Sequence, residues 1–345
     1  MLALRADDRT SPAAQTGSIP PSDVLVRVRN IYKHFRVKGG LFLRSRWLRA
    51  VDGVSLSVRR GETLGIVGES GCGKSTLARL MLNLIEPTSG DIVFRNANLA
   101  DLDEREMREM RRRMQIVFQN PYSSLDPRMR IADIVSEPLR AHGIVTTAPE
   151  AERTAGELLS MVGIGSEALH RFPHEFSGGQ RQRIGIARAI ALRPDLVVCD
   201  EPLSALDVSI RSQVINLLCE LKRELSLTYL FISHDLSVVR YISDRICVMY
   251  LGKIVETGRT EEIFENPLHP YTRSLIDAAP LANPHMRNRP RTILEGELPS
   301  AIDPPSGCRF RTRCAAAADI CAAQEPPAPK GSKHSAACHF SEEAK

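Results

Sequence analysis

GESGCGKST, Gly68 to Thr76, follows the short apolar run TLGIV and precedes LARLMLNLI, whose apolar residues recur at helical spacing. Strand, glycine-rich loop, helix is the setting in which G-x-x-x-x-G-K-[ST] binds phosphate. Gly68, Gly71 and Gly73 let backbone N–H groups approach phosphate oxygens with no Cβ in the way. Glu69, Ser70 and Cys72 supply backbone between them, so the Cys72 thiol is incidental. The helix that follows points its positive end at the same anion. Lys74 reaches for the β- and γ-phosphates, Ser75 holds Mg²⁺, and Thr76 closes the loop.

A second apolar run, LVVC at Leu196–Cys199, leads into Asp200-Glu201-Pro202. An Asp at such a strand end can meet Mg²⁺ beside a phosphate loop, and the adjacent Glu can polarise an attacking water. A third run, TYLFIS, ends at His234 and brings it to the sheet edge where parallel α/β sheets bind ligands. Taken singly, each is as readily a surface carboxylate or a structural histidine; with the phosphate loop upstream they read as one site. Upstream of the carboxylates, Ser177-Gly178-Gly179-Gln180 opens a helix carrying Arg181, Arg183 and Arg188. A small N-cap followed by glycines makes a second anion-binding helix start.

The elements that position these residues fit a chain of 345 residues, 43% hydrophobic and 25% charged. That is one large domain with an appendage, or two domains. A net charge of +5 is too slight to point to nucleic acid. Residues 1–22 read as a disordered lead with no apolar core for a signal peptide. The longest apolar-rich run is broken by Arg79 and is shorter than the ~20 residues that span a bilayer. These features predict an intracellular chain without stable disulfides. Val24 to Ala50 carries eight Arg or Lys and no Asp or Glu. It reads as a solvated hairpin turning at Lys38-Gly39-Gly40, or as a basic face near anionic phosphates.

The chain resembles an ATP-binding-cassette nucleotide-binding subunit. The motifs stand in that family's order: phosphate loop Gly68–Thr76, Gln119 in VFQNP, SGGQ at Ser177–Gln180, Asp200-Glu201, SALD at Ser204–Asp207, and His234. Longer stretches are similar to the oligopeptide/dipeptide/nickel importer branch, including QNPYSSLDPRM, HEFSGGQRQRIGIARA, ENPLHPYTRSLIDAAP and LEGELPSAIDPPSGCRF. The resemblance runs from about Val24 to Phe340 and favours the F-type ATP-binding subunit. It implies an α/β fold: a P-loop NTPase with an ABC-type RecA-like core, an antiparallel β subdomain and a helical subdomain near 120–190. The cassette would span 23–265, and 266–345 would be an importer-type extension.

The same resemblance implies ATP and Mg²⁺ as ligands, with Ser75, Gln119 and Asp200 toward the metal. It makes Glu201 the general base, places His234 on the γ-phosphate, and has Phe35 stack on adenine, ahead of Tyr32 and Trp47. Two cassettes pair head to tail, so Ser177, Gly178, Gly179, Gln180 and Asp207 serve the partner's ATP. The implied partners are a second paralogous ATP-binding subunit, two transmembrane permeases and an extracytoplasmic solute-binding protein, with no nucleic acid. The chain would sit peripherally on the cytoplasmic face of the inner membrane and power peptide import. Tyr122 to Leu125 would lie near the permease dock. Nickel, glutathione or another small solute remains an alternative cargo, and a non-transport cassette ATPase an alternative role.

Four of the eight cysteines, Cys308, Cys314, Cys321 and Cys338, fall in the last forty or so residues at C-x5-C-x6-C-x16-C spacing. These gaps are wider than the C-x2–4-C pairs usual for zinc. Four thiolates suit a [4Fe–4S] cluster, and the importer tail looks like a cluster site in at least some relatives. Zinc, or thiols without metal, are the alternatives, with His334 and His339 as replacement ligands. The remaining cysteines, Cys72, Cys199, Cys219 and Cys247, read as small buried hydrophobes.

Overall fold

The computed structural model of the protein describes residues 23–37, 45–120, 124–278, 296–329 and 333–341. The lead 1–22, the turn at Lys38–Gly40, and Tyr122 lie outside them.

Unbroken apolar runs, as opposed to alternating ones, mark strands covered on both faces. Two long antiparallel strands, β1 (Val24–Val37) and β2 (Arg46–Arg59), open the chain, and β3 (Thr63–Val67) follows with every residue buried. β4 (Ser89–Phe94) and β5 (Ala97–Asn98) complete a four-stranded antiparallel sheet in the order β2-β1-β4-β5. The main sheet takes β6 (Met114–Val117), β7 (Leu196–Asp200), β8 (Thr228–Ile232), β9 (Arg245–Tyr250), β10 (Lys253–Arg259) and β11 (Ser335–Ala336). Its order is β11-β10-β9-β3-β8-β7-β6. The centre β9-β3-β8-β7-β6 is parallel, so its carboxyl ends share one edge.

Alternate residues of these strands face two apolar cores. Leu64, Ile66, Leu196, Val198 and Leu230 pack toward the antiparallel sheet and the helix Lys74–Met81. Val197, Cys199, Tyr229 and Phe231 face the other way. On that side lie the helices Ile131–Ala141, Ala148–Met161 and Gly178–Ile190, inserted between β6 and β7. Tyr271 and Phe310 belong to this second core, so residues near the end of the chain are built into it. β11 adds a strand from the tail to the edge of β10.

Beneath the sheets, Arg245 at the start of β9 donates to Glu62 at 2.9 Å, with both side chains 9% exposed. Burial pushes the Glu62 carboxyl up, and Arg245 pulls it back. Arg245→Met would leave that carboxylate buried without its charge partner. We expect it to lower unfolding free energy by about 3–5 kcal/mol, read from the denaturant midpoint at unchanged m-value.

Candidate functional site

β3 ends where the phosphate loop begins. Gly68 stands at φ +155, and a Cβ there would come within 2.1 Å of the Met249 carbonyl oxygen. Gly73 is the N-cap of the helix Lys74–Met81, in the left-handed region at φ 109, with no side chain capping the first turn. The first-turn amides of a helix have no partner within it, and an uncapped start leaves them for an anion. Lys74 is 4% exposed and donates to the carbonyls of Gly68 and Glu69 at 2.8 and 3.0 Å, which folds it back over the loop. Cys72 is buried at 1% beside the Lys74 ammonium, and burial pushes its thiol up.

β7 delivers the carboxylates. The Ser75 hydroxyl donates to Asp200 at 2.9 Å, across 125 residues of sequence. Burial pushes the Asp200 carboxyl up, the Ser75 hydrogen bond opposes this, and the Glu201 charge adds to it. Glu201 then turns the chain at φ 47, left-handed for a non-glycine residue, while its amide donates to the Ile232 carbonyl of β8 at 2.9 Å. Such a conformation costs roughly 1–3 kcal/mol and persists where the surroundings fix it. Gln119 donates to Glu201 Oε2 at 3.1 Å, His234 Nδ1 lies 3.2 Å from the same oxygen, and Lys74 Nζ is 4.0 Å from Oε1. Lys74, Ser75, Gln119, Asp200, Glu201 and His234, read from four separate stretches, thus meet at one sheet edge. A cavity of about 680 Å³ borders this edge at Gln119 and Asp200 and runs between Arg79, Glu137 and Arg188; Lys74, Ser75, Glu201 and His234 do not line it.

Phe35 lies on β1, 37% exposed, with Lys33 Nζ 5.1 Å above its ring. Trp47 is 54% exposed on β2, while the Tyr32 ring meets His34 edge-on. The signature opens its own helix: Ser177 caps Gly178–Ile190, and Ser177 and Gln180 exchange side-chain-to-backbone bonds in a capping box. Its start is thus partly satisfied from within, unlike the phosphate loop. A Cβ on Gly179 would come within 2.4 Å of Ile210 Cγ2. Asp207 stands just before the helix Val208–Leu225 in extended conformation. Of the segment expected near the dock, Leu125 is 2% exposed and belongs to the core.

The cavity at the tail cysteines shares no lining residue with the one at Gln119 and Asp200. Cys308, Cys314, Cys321 and Cys338 line one cavity of about 90 Å³, with His269, Arg273, Phe310, Arg311 and His339. Burial pushes the Cys308 thiol up to about 11, with the other three thiols adding to the shift. Among the described residues, no three His, Cys, Asp or Glu stand as a set able to hold a metal ion. His334, expected as a replacement ligand, does not line the cavity; its Nε2 lies 2.9 Å from Glu256 instead. His339 does line it, but its Nε2 lies 3.1 Å from the Gln324 carbonyl. His269, which sequence reasoning passed over, is 1% exposed and held neutral, its ring pushed down to about 4 by burial. Nothing in HPYTRS signals that position. Cys72, Cys199 and Cys247 are buried as expected, whereas Cys219 is only half-buried.

The sequence matches the ABC transporter family over residues 51–204 and the oligopeptide/dipeptide transporter C-terminal region over residues 255–321. It is 50% identical over 322 residues to the oligopeptide transport ATP-binding protein AppF of Bacillus subtilis, covering 92% of this chain and 98% of that one. It is 48% identical to OppF of Escherichia coli, covering 91% of this chain and 96% of that one. A dimeric post-hydrolysis structure of the ATP-binding cassette MJ0796, bound to ADP and Pi, is similar at TM-score 0.61 and 30% identity. That match covers 68% of this chain and 98% of the other. The chain therefore belongs to the ATP-binding proteins of the ABC transporter family, in the oligopeptide transport group.

Proposed function

We propose that this chain binds and hydrolyses ATP to power import of di- and oligopeptides across the cytoplasmic membrane. The observation that carries the reading is the Glu201 carboxylate, held by Gln119 and His234 and facing Lys74 beside the Ser75–Asp200 pair. Lys74 offsets phosphate charge, Glu201 takes the proton of the attacking water, and His234 contacts the γ-phosphate. Phosphoryl transfer asks mainly for such positioning and electrostatics. Ser75, Asp200 and Gln119 would hold Mg²⁺. The fit rests on their hard oxygen donors and on an Asp200 carboxyl that burial and Glu201 push up, a strain a dication relieves. When bound, Mg²⁺ would neutralise charge on the phosphate oxygens.

Peptide cargo is supported by the names of the relatives and by the matched C-terminal region. The partners would be a paralogous ATP-binding subunit, whose signature completes the phosphate site, two permeases and a solute-binding protein. Pairing of two cassettes is supported by the dimeric MJ0796 structures. No described helix is long and apolar enough to cross a membrane. The proposed position, peripheral on the cytoplasmic face of the inner membrane, follows from the partners above. Reconstituted with its permeases, the chain should hydrolyse ATP faster when the solute-binding protein carries peptide. Stimulation by nickel or glutathione alone would reassign the cargo, and no stimulation by any loaded binding protein would favour a non-transport ATPase.

We propose a [4Fe–4S] cluster on the four tail thiols, with zinc or no metal as the other outcomes of the test. The four line a single cavity, and Arg273 and Arg311 at its wall would offset cluster charge. Purified without oxygen or chelators, the chain should carry iron and acid-labile sulfide at about four each. Cys308→Ser should lose both; one zinc and no iron would make the tail a structural clip.

A further inference from the structure

Cys308 and Cys314 bracket a short segment that touches the nucleotide-binding core at three points. Arg309 pairs with Asp52 and donates to the Leu251 carbonyl. Phe310 is 2% exposed among Tyr250, Tyr271 and His269, with ring centroids 5.3, 5.4 and 5.7 Å away. Arg313 donates from Nη1 to both carboxylate oxygens of Glu69, at 2.9 and 3.1 Å, across 244 residues of sequence.

Glu69 is the second residue of the phosphate loop, and each of its polar groups is held. Its amide donates to the Tyr271 hydroxyl at 2.9 Å, its carbonyl accepts from Lys74 at 3.0 Å, and its carboxylate takes Arg313. The Arg313 side chain is 7% exposed and that of Glu69 25%, so salt screens this partly buried pair less than it would a surface pair. A carboxylate in a loop built for a triphosphate repels the ligand unless a fixed cation offsets it. Nothing else in the loop calls for an acidic residue.

We propose that Arg313 is a positioning residue for nucleotide binding: it neutralises and fixes Glu69, so that ATP affinity depends on the cysteine-bearing tail. The contact acts on the bound triphosphate throughout the reaction, so it affects ground-state and transition-state binding alike. The role goes beyond the assignment of the chain as an ATPase: Arg313 lies in the matched C-terminal region, outside the cassette match that holds the phosphate loop.

The test is titration of the full-length chain with a fluorescent ATP analogue and Mg²⁺, with steady-state hydrolysis alongside. Arg313→Gln should raise Kd and KM about tenfold while kcat changes less than about twofold. Arg313→Lys, which keeps the charge but loses the fork, should fall between. Adding Glu69→Gln to Arg313→Gln should restore most of the affinity, because the uncompensated charge is gone. A merely structural contact would not give that rescue. Glu69→Asp leaves the tail untouched and withdraws the carboxylate by one methylene; it should repeat part of the loss, about threefold, even if the Arg313 variants do not fold. Kd values within twofold of the unaltered chain in both Arg313→Gln and Glu69→Asp would overturn the proposal. So would a double variant no better than Arg313→Gln.

Discussion

Glu201→Gln is expected to bind Mg-ATP as well as the unaltered chain and to hydrolyse it about 10²–10⁴-fold more slowly, the range for loss of a general base. The amide has the size of the carboxylate and keeps an oxygen for the Gln119 amide to donate to, but it cannot take a proton from water. The site around it is over-determined: Gln119 at 3.1 Å, His234 at 3.2 Å and a backbone held at φ 47 by the bond to Ile232. Geometry should therefore survive the change and chemistry should not. With hydrolysis stopped, ATP should hold two cassettes together, since each signature would face the other's triphosphate. Phosphate release measured beside light scattering in ATP tests both parts. Normal turnover would remove Glu201 from the role of base; slow turnover without a dimer would separate the base from the pairing.

Gly73→Ala should weaken Mg-ATP binding by more than about 10²-fold, while Gly71→Ala should cost about tenfold. Both glycines have positive φ, 109 and 82, and for an L-residue that alone costs roughly 1–2 kcal/mol. They differ in their surroundings. A Cβ on Gly71 meets nothing within 4 Å, whereas one on Gly73 would lie 2.1 Å from the Ala50 carbonyl oxygen and 2.8 Å from Met249 Cε. The methionine could swing aside; the Ala50 carbonyl belongs to β2 and cannot. The chain must then shift the loop or abandon the left-handed turn that aims the first amides of Lys74–Met81. The same nucleotide titration compares the two variants. Equal losses would mean that φ alone, and not the approach of β2, demands glycine at position 73.

Most of the catalytic cluster was legible as sequence because each piece is local. Gly68–Thr76 needs glycines at fixed offsets, and TLGIV, LVVC and TYLFIS announce themselves as strands buried on both faces. The strand carrying the carboxylates runs one residue further than LVVC suggests, through Asp200, whose backbone pairs with Ile232. The signature carried a clear helix start, yet its capping box, with Gln180 reaching back to Ser177, makes that start less open than its glycines suggest. Leu125, at the end of the segment expected near the dock, is core, because the helices around it supply an apolar neighbourhood that the local sequence does not reveal.

The sequence by itself determined what is short-range: the loop that can wrap a phosphate, the strands that must be buried, the carboxylates at a strand end and the family to which the motifs belong. The tertiary structure alone decided what is long-range. Nothing in the types Arg313 and Glu69 marks them as partners, since Arg and Glu suit any surface; the packing of Phe310 against Tyr250 and Tyr271 sets that pair. Likewise His269 and four cysteines share one cavity, and His334 leaves it for Glu256, because β11 pairs with β10. Residue type fixes what a side chain can do, and backbone pairing across hundreds of residues fixes with whom.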